Sequence, residues 1–436
     1  MVSTLDLDLR PGSGIGPFEL GASLFDVLEF LRRPSPPTFP SISVKYDTAS
    51  PASSPVILHL RPHLDLLFTR RTQRLRTISL SLLRTSQTHI PLVLSYKNEV
   101  LSGPDVVPHR TAVQRMMGPT YKGEYMRYPG VWFSFEDDLP GGAGVTNPTE
   151  GNSEVKRVVV TQRQEQREQE PEEDSDEVVP NSTMYGEIKK AVIKIHEGID
   201  LHFFTPEPED PPIHVQLGVT TAEDLTCDLG PPVLTHYKED DRMAIHATAQ
   251  DDEESYFYNY FQHGLDFLIS GKTHRVRKII AHTNVPGSPL FQRYKRCPWE
   301  ISLSFQSTDP LSQPVELGTT LAISTDPEVP APKGGGKKKK KKAETEQPRT
   351  SFEVQDDAPS HSQEMVAFYD SIDILKPKLG SSSRHSTQPS MQLERAADLP
   401  QNELLTLPSS TTHLYAFNGV FCEASEAGDV LCVGLF

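Results

Sequence analysis

Thr220-Thr-Ala-Glu-Asp-Leu-Thr-Cys-Asp-Leu-Gly-Pro-Pro232 precedes three apolar runs: Tyr256-Phe-Tyr-Asn-Tyr-Phe261, Gly264-Leu-Asp-Phe-Leu-Ile269 and Val276-Arg-Lys-Ile-Ile-Ala-His282. Ala222, Leu225 and Leu229 fall on one helical face. Thr220 with Glu223 has the spacing of a capping box, which satisfies free amides of the first turn. Gly230-Pro231-Pro232 stops the helix, because Gly reaches the left-handed conformation and Pro cannot continue. The runs that follow are rich in aromatic and β-branched residues, and Ser270-Gly271 supplies a turn between the last two. The stretch therefore reads as one short helix laid on an antiparallel meander.

The same pattern recurs. Leu20, Leu24, Val27, Leu28 and Leu31 line one helical face, with Ser23 and Asp26 approximating a capping box. Strands are predicted at 56–60, 64–68 and 75–80. A second copy has Thr111 with Gln114 as its cap, then Val113, Met116 and Met117, ended by Gly118-Pro119. Its strands are predicted at 130–135 and 155–160. A fourth, degraded copy keeps Ile372, Leu375 and Leu379 at helical spacing, but Pro377 is expected to break or kink that helix. Strands at 414–417, 419–422 and 430–436 follow it. A further hairpin is predicted at 191–196 and 198–203.

The expected class is α+β: internally repeated units of one helix packed on an antiparallel β-meander, paired into two lobes because no single unit buries enough apolar area alone. The expected boundaries are 1–161 for an N-terminal lobe, 162–186 for an acidic linker and 187–306 for the core of a C-terminal lobe. A disordered Lys-rich insertion is placed at 307–364, and 365–436 completes the second lobe around a disordered 381–410 loop. Gln164 to Glu177 holds eight acids and one Arg, and Lys337 to Lys342 is an unbroken lysine run. Like-charge blocks of this kind repel themselves and stay solvated.

Composition narrows the function. The 436 residues carry a net charge of −16, which argues against wholesale nucleic-acid binding. Proline numbers 38, well above the usual share of about 5%, in keeping with loop-rich insertions. No run approaches the 18 or more apolar residues of a membrane span, and the first ten residues hold acids where a signal peptide needs bases. A soluble, cytosolic protein is expected, with its four cysteines as thiols.

The search for chemistry yields little. Gly12-Ser-Gly-Ile-Gly16 lacks the preceding strand and the glycine spacing of a dinucleotide loop, so it reads as a plain loop. Cys227, Cys297, Cys422 and Cys432 contain no C-x-x-C pair, although Cys422 and Cys432 flank a hairpin turn and could face each other. His274 and His282, an even number apart on one predicted strand, are expected to share a face in a structural role. No helical zinc motif or nucleophile elbow is present. No catalytic residue, cofactor or metal is therefore assigned.

Two features suggest binding. Alternation puts Tyr256, Tyr258 and Tyr260 on one face, either a partner surface or an ordinary aromatic ladder. Lys272, Arg275, Arg277 and Lys278 form one basic stretch, and Arg293 and Arg296 (with Lys295) another. If they converged they would make an anion site suited to a phosphorylated lipid headgroup; a solvated strand edge is the plainer reading.

The third unit also carries a family resemblance. Tyr256-Phe-Tyr-Asn-Tyr-Phe-x-x-Gly264-x-Asp266, Thr273-His274-x-Val276-x-Lys278, His282-Thr-Asn-x-Pro-Gly287 and Arg296-Cys297 resemble the signature of the phagosome assembly factor family. Leu7-Asp-Leu and Phe18-x-Leu-Gly-x-Ser-Leu24 match it near the start. The resemblance implies a non-enzymatic role in autophagy. It also implies a WD-repeat β-propeller partner and peripheral association with phosphoinositide-bearing membrane at the phagophore assembly site. Golgi and secretory trafficking, with no direct lipid contact, is the alternative. The pattern of helix then meander also resembles small bacterial lipoproteins of outer-membrane assembly, an analogy of fold alone.

Overall fold

A computed structural model describes residues 5–33, 39, 41–81, 92–120, 126–135, 153–163, 178–207, 210–237, 255–303, 364–380, 390–395 and 411–436. The expected acidic stretch 164–177, the lysine run and most of the 381–410 loop lie outside them. The described residues of Met1–Leu303 and Met365–Phe436 form one compact unit.

The first half of the compact unit opens with β1 (Leu5–Arg10), β2 (Gly14–Ile15) and β3 (Phe18–Glu19), then α1 (Leu24–Arg32). A meander follows: β4 (Ser41–Lys45), β5 (Val56–Arg61), β6 (Leu64–Phe68) and β7 (Leu75–Ser81). Next come β8 (Leu92–Tyr96), β9 (Glu99–Ser102) and α2 (Arg110–Met117), then β10 (Met126–Tyr128), β11 (Val131–Phe135) and β12 (Val155–Thr161). These strands make a five-stranded sheet, β3-β2-β1-β8-β9, and a seven-stranded sheet, β10-β11-β12-β7-β6-β5-β4.

The second half is built on the same order. β13 (Ile188–Lys194), β14 (Gly198–Phe203) and β15 (Ile213–Gln216) lead to α3 (Ala222–Leu229). The meander is β16 (Leu234–Tyr237), β17 (Tyr256–Tyr260), β18 (Leu265–Ile269) and β19 (Val276–His282). β20 (Trp299–Leu303), β21 (Glu364–Ala367) and α4 (Ile372–Gly380) precede β22 (Met391–Glu394), β23 (Thr411–Phe417), β24 (Val420–Ser425) and β25 (Val430–Leu435). The sheets are β15-β14-β13-β20-β21 and β16-β17-β18-β19-β25-β24-β23-β22.

Most pairings are antiparallel, but β1 runs parallel to β8 and β13 parallel to β20. The fold is thus β-rich: four sheets with four helices of eight or nine residues among the described residues. The antiparallel strands of the expected class are present, but with few, short helices the fold is not clearly α+β. Helices this short fall below the 12–15 residues that are marginal on their own, and tertiary packing holds them.

One local device recurs at all four helices. The residue before each helix bridges to the residue before the last strand of the following meander: Ser23 to Arg74, His109 to Glu154, Thr221 to Arg275 and Ser371 to Asp429. Backbone bonds on either side reinforce it. The Leu24 amide donates to Gln73 O (2.9 Å) and the Leu75 amide to Ala22 O (2.8 Å); the Ala222 amide donates to His274 O (2.9 Å) and the Val276 amide to Thr220 O (2.9 Å). First-turn amides of a helix lack internal partners, and here a strand supplies acceptors for them.

The caps refine the sequence reading. Ser23 accepts from the Asp26 amide as expected (3.1 Å). The third helix is capped one residue later, by Thr221 with Asp224 instead of Thr220 with Glu223. The Thr220 hydroxyl instead accepts from the Gln216 amide (2.9 Å), turning the chain out of β15. α2 starts at His109 with no side-chain cap, so the Thr111–Gln114 cap is not formed. α4 continues through Pro377, which removes one amide but does not break the helix, because Ile372, Leu375 and Leu379 are buried on either side of it.

Two main apolar clusters form. One gathers Leu7, Leu28, Phe68, Phe133 and Val160 from the first half, the other Leu225, Tyr260, Phe267, Trp299 and Val433 from the second. Leu225 is 1% exposed, on the buried face of α3. Leu225→Ala should destabilise the protein by about 2–5 kcal/mol through transfer and cavity costs. Thr221→Ala should cost about 1 kcal/mol through the lost cap, and urea denaturation of the two variants measures both.

Candidate functional site

The structure separates the two basic stretches. Lys272 and Arg275 are exposed in the turn before β19, and Arg277 is exposed at its start. Arg275 Nη1 donates to Gly218 O (3.0 Å). Lys278 is half-buried, its ammonium 5.1 Å from the Phe421 ring. Arg293 and Arg296 follow the far end of β19, a seven-residue strand that at ~3.3 Å per residue puts them ~20 Å away. Arg293 is exposed, its guanidinium 5.7 Å over Phe261.

Arg296 is buried, and burial pulls its guanidinium down to about 9. It donates to Thr283 O (2.8 Å), Arg70 O (2.8 Å) and Arg71 O (3.0 Å). A lipid headgroup has no access to it, so the single convergent anion site is not formed.

The tyrosine face points inward. Tyr256 and Tyr260 belong to the core, with Tyr258 packed against it. The Tyr260 hydroxyl donates to Gly230 O (2.9 Å) at the end of α3; burial and then the neighbouring Tyr258 push it up to about 12. Tyr256 meets His274 Nδ1 at 2.9 Å. This is the aromatic ladder with a satisfied polar tip, not a partner surface.

The segment between β19 and β20, residues 283–298, contains much of the signature and holds the two halves together. Gln73 Nε2 donates to Asn284 O (3.0 Å), and Asn284 Nδ2 donates back to Gln73 Oε1 (2.9 Å). The Gln292 amide donates to Asn284 Oδ1 (3.0 Å), and Arg32 donates to Gln292 Oε1 (2.9 Å) and O (3.1 Å). Gln73, Asn284 and Gln292 all have positive φ, at 50°, 50° and 73°. Only Asn is at ease in that region, so the surrounding bonds hold the two glutamines there. Phe291 from this segment is buried in the first-half cluster.

Charges complete the joint. Lys295 Nζ lies 2.9 Å from Asp26 Oδ2 and 3.2 Å from Glu187 Oε1, and Arg74 pairs with Glu187. Burial acts to raise the Asp26 carboxyl, but Lys295, the Ser23 hydroxyl and Arg74 together hold it below its ordinary value. Beside the joint, Asp266 accepts from Asn259 Nδ2 (2.7 Å) and the Tyr294 hydroxyl (2.8 Å) and pairs with His282 Nε2 (2.8 Å). The His282 and Tyr294 rings stack at 3.7 Å. Gly264, at φ +69°, lets the chain pass against Lys295 O, where a Cβ would collide.

The sequence comparisons agree with this frame. The model of the family described as Phagosome assembly factor 1 matches residues 14–326. The chain belongs to that family. It is 29% identical over 329 residues to a PHAF1 protein of Arabidopsis thaliana, covering 68% of this chain and 74% of the relative. A PHAF1 protein of Caenorhabditis elegans is 25% identical over 324 residues, covering 66% of this chain and 74% of the relative. One of Drosophila melanogaster is 23% identical over 336 residues (69% and 74%). No solved structure matches.

The phagosome assembly factor fold brings its polar residues together as a structural joint. Asp266, His282 and Tyr294 look like a catalytic relay, but all three are buried and the tyrosine donates to the same carboxylate. A cavity of about 210 Å³ lined by Lys194, Asp200 and His214 falls short of the usual 300–1,000 Å³ of ligand pockets. Asp200 is already held there by both neighbours at 2.7 Å.

Two smaller expectations fail for one reason, a β-bulge that interrupts strand alternation in each strand. Cys422 lies on the core face while Cys432 lies on the opposite face, 3.8 Å from Glu423 Oε2, so they do not face each other. His274 precedes β19 and joins the core-side tyrosines, whereas His282 pairs with Asp266 on the other face. The joint partners Gln73, Asp26 and Arg32 had no local signal, since each pairs with a residue more than 200 positions away.

Lys295→Met should cost about 1–3 kcal/mol, because Asp26 loses its ammonium partner while Glu187 keeps Arg74. Folding favours ionised Asp26, so its contribution is present above the ordinary carboxylate value and is lost as pH falls through the depressed folded value. Urea denaturation between neutral and acid pH should show the parent losing this contribution in acid. The Lys295→Met variant should lose less over that range.

Proposed function

We propose that the chain is a non-catalytic adaptor in phagosome assembly. It docks a WD-repeat β-propeller partner and is recruited from the cytoplasm to phosphoinositide-bearing membrane at the site of autophagosome formation. The family match over residues 14–326 carries this reading, and membership itself suggests a role in phagosome assembly. The family is named as an assembly factor and not as an enzyme. We also propose that the chain is internally duplicated, each half made of two helix-and-meander units, with lobes at 1–161 and 187–436. The matching strand orders and the four helix-to-strand bridges support this.

For lipid contact the reading uses the exposed stretch Lys272, Arg275 and Arg277, with Lys278 beside it and Arg293 apart from it. Each base near an anionic leaflet is worth on the order of 1 kcal/mol. A second reading is a purely structural subunit whose partner makes the membrane contact, as in Golgi or secretory trafficking. The net charge of −16 favours it, since an acidic body is repelled by an anionic bilayer.

Flotation with phosphatidylcholine vesicles, with and without a phosphoinositide, separates the two readings. On the first, the chain alone floats with phosphoinositide vesicles, less so as salt rises. Lys272→Glu with Arg277→Glu then weakens binding about tenfold or more at an unchanged melting temperature. Flotation that requires the propeller partner supports the second, and undiminished flotation of the double variant removes this stretch as the contact.

A further inference from the structure

β16 closes the eight-stranded sheet at one end, and among the described residues β17 is the strand that pairs with it. Thr235 lies opposite Tyr258 and Tyr237 opposite Tyr256, so the odd-numbered side chains of β16 share the face whose neighbours reach the core. α3 meets that face at Tyr260, whose hydroxyl donates to Gly230 O (2.9 Å). One strand further out the face is open. Every residue of 233–237 is exposed, Val233 at 60%, Leu234 at 44% and Tyr237 at 64%. Tyr237 touches the body through the Tyr256 ring, 5.7 Å away.

The equivalent edges are guarded. β4, β10 and β22 likewise follow a helix and end a sheet. Ile42 and Val44 of β4 pack on the first-half cluster, and Lys45 ends that strand. β10 is three residues long, with Met126 buried and Arg127 exposed. β22 ends on Glu394, with Arg395 next. Charge, brevity and burial are the usual protections of an open edge. Val233-Leu-Thr-His-Tyr237 has no Lys, Arg, Asp, Glu or Pro and no buried residue.

The sequence also limits what such an edge accepts. Pro231 and Pro232 cannot donate to a ladder, and charge resumes at Lys238, so the pairable window is 233–237. Antiparallel pairing of this window with its own copy centres on Thr235. Val233 then meets the copy's Tyr237, twice over, and Leu234 meets its His236. The first are aromatic–β-branched pairs that continue the tyrosine face, and no like charges oppose each other. Contacts exchanged in this way are those of a closed two-fold interface. The three exposed apolar side chains offer roughly 300 Å² per copy, or roughly 600 Å² for the pair, within the range of weak contacts below about 1,200 Å².

We propose that β16 pairs antiparallel with β16 of a second copy about a two-fold axis at Thr235, joining two eight-stranded sheets in a weak, reversible dimer. The contact rests on the fold and not on the membrane reading, and its salt dependence has the opposite sign. Each copy carries a net charge of −16, so salt strengthens association by screening, whereas it weakens binding to anionic vesicles.

Sedimentation velocity of the full chain from about 1 μM to about 300 μM, the regime of a small interface, should show monomer passing into dimer, with more dimer at higher salt. A monomer throughout overturns the proposal, whether residues 238–254 or another protein's strand takes the edge. So does a dimer that salt disperses, or growth beyond the dimer. Thr235→Lys and Thr235→Glu each set like charges face to face on the axis and should weaken the dimer at least tenfold, and an equimolar mixture of the two should restore it. Full dimerisation of either variant, or no recovery in the mixture, overturns the pairing. Circular dichroism checks that each variant is folded. Should the charged variants not fold, Thr235→Cys carries the test in a chain whose exposed Cys227 is replaced by Ser. Residues opposite each other in an antiparallel pair have Cα atoms about 4.5–5.5 Å apart, within disulfide reach. Mild oxidation must then yield a disulfide dimer, and Ser43→Cys in β4, in the same background, must not. No dimer, or equal yields from the two, overturns the pairing.

Discussion

The reciprocal amide pair between Gln73 and Asn284 sits where the two halves of the protein meet, and much else in the structure is arranged around it. Neither residue is exposed, and the Gln73 side chain meets both the side chain and the main-chain carbonyl of Asn284, which helps hold Gln73 in a conformation a glutamine otherwise avoids. An amide left alone there would carry the full desolvation penalty of about 1–3 kcal/mol. The joint is therefore an all-or-none arrangement. Three cations extend it: Arg32 reaches from the first half to Gln292, while Lys295 and Arg296 reach back to Asp26 and to the carbonyls of Arg70 and Arg71. Polar joints of this kind specify one relative placement of two sheets, which a purely apolar contact would do less sharply.

The position of the joint follows from the helix-to-strand bridges. Ser23 caps α1 and bridges to Arg74, so Gln73 is carried on the same short turn that satisfies the Leu24 amide. Asp26 lies in the first turn of α1, close enough for Lys295 to reach it. A device that repeats at every helix thus presents, at its first occurrence, the residues that the joint uses. In the second half the equivalent bridge, Thr221 to Arg275, lies at the exposed basic turn instead.

Local order was legible in the sequence to the extent that it is local. The strands at Leu64–Phe68 and Val276–His282 match their predicted limits, because alternation and turn residues are short-range signals. The parallel pairs were not legible. Leu5 pairs with Leu92 and Ala191 with Trp299, and no turn residue announces a partner about a hundred positions away. The α+β expectation gave the helices too large a share for a related reason: the five-stranded sheets are made of strands of two to seven residues, several of them short, whose burial depends on those distant pairings. For the site, the basic stretches could be found but not their fates. Lys272 stays exposed while Arg296 is enclosed, and that difference is set by which side of β19 the chain turns towards the first half.

Several of the residues that announced the family have one property in common. Asp266, His282, Asn284, Arg296 and Cys297 are all buried, and four of the five are engaged in the hydrogen bonds of the joint or its neighbourhood. Such a signature records a shared frame, since a buried polar network tolerates few substitutions without leaving a group unpaired. What the frame binds is decided on surfaces the signature barely samples. The exposed bases Lys272, Arg275 and Arg277 are a case in point: none of the three belongs to the signature. The interior therefore argues for kinship, and the outer faces must argue for partners on their own chemistry.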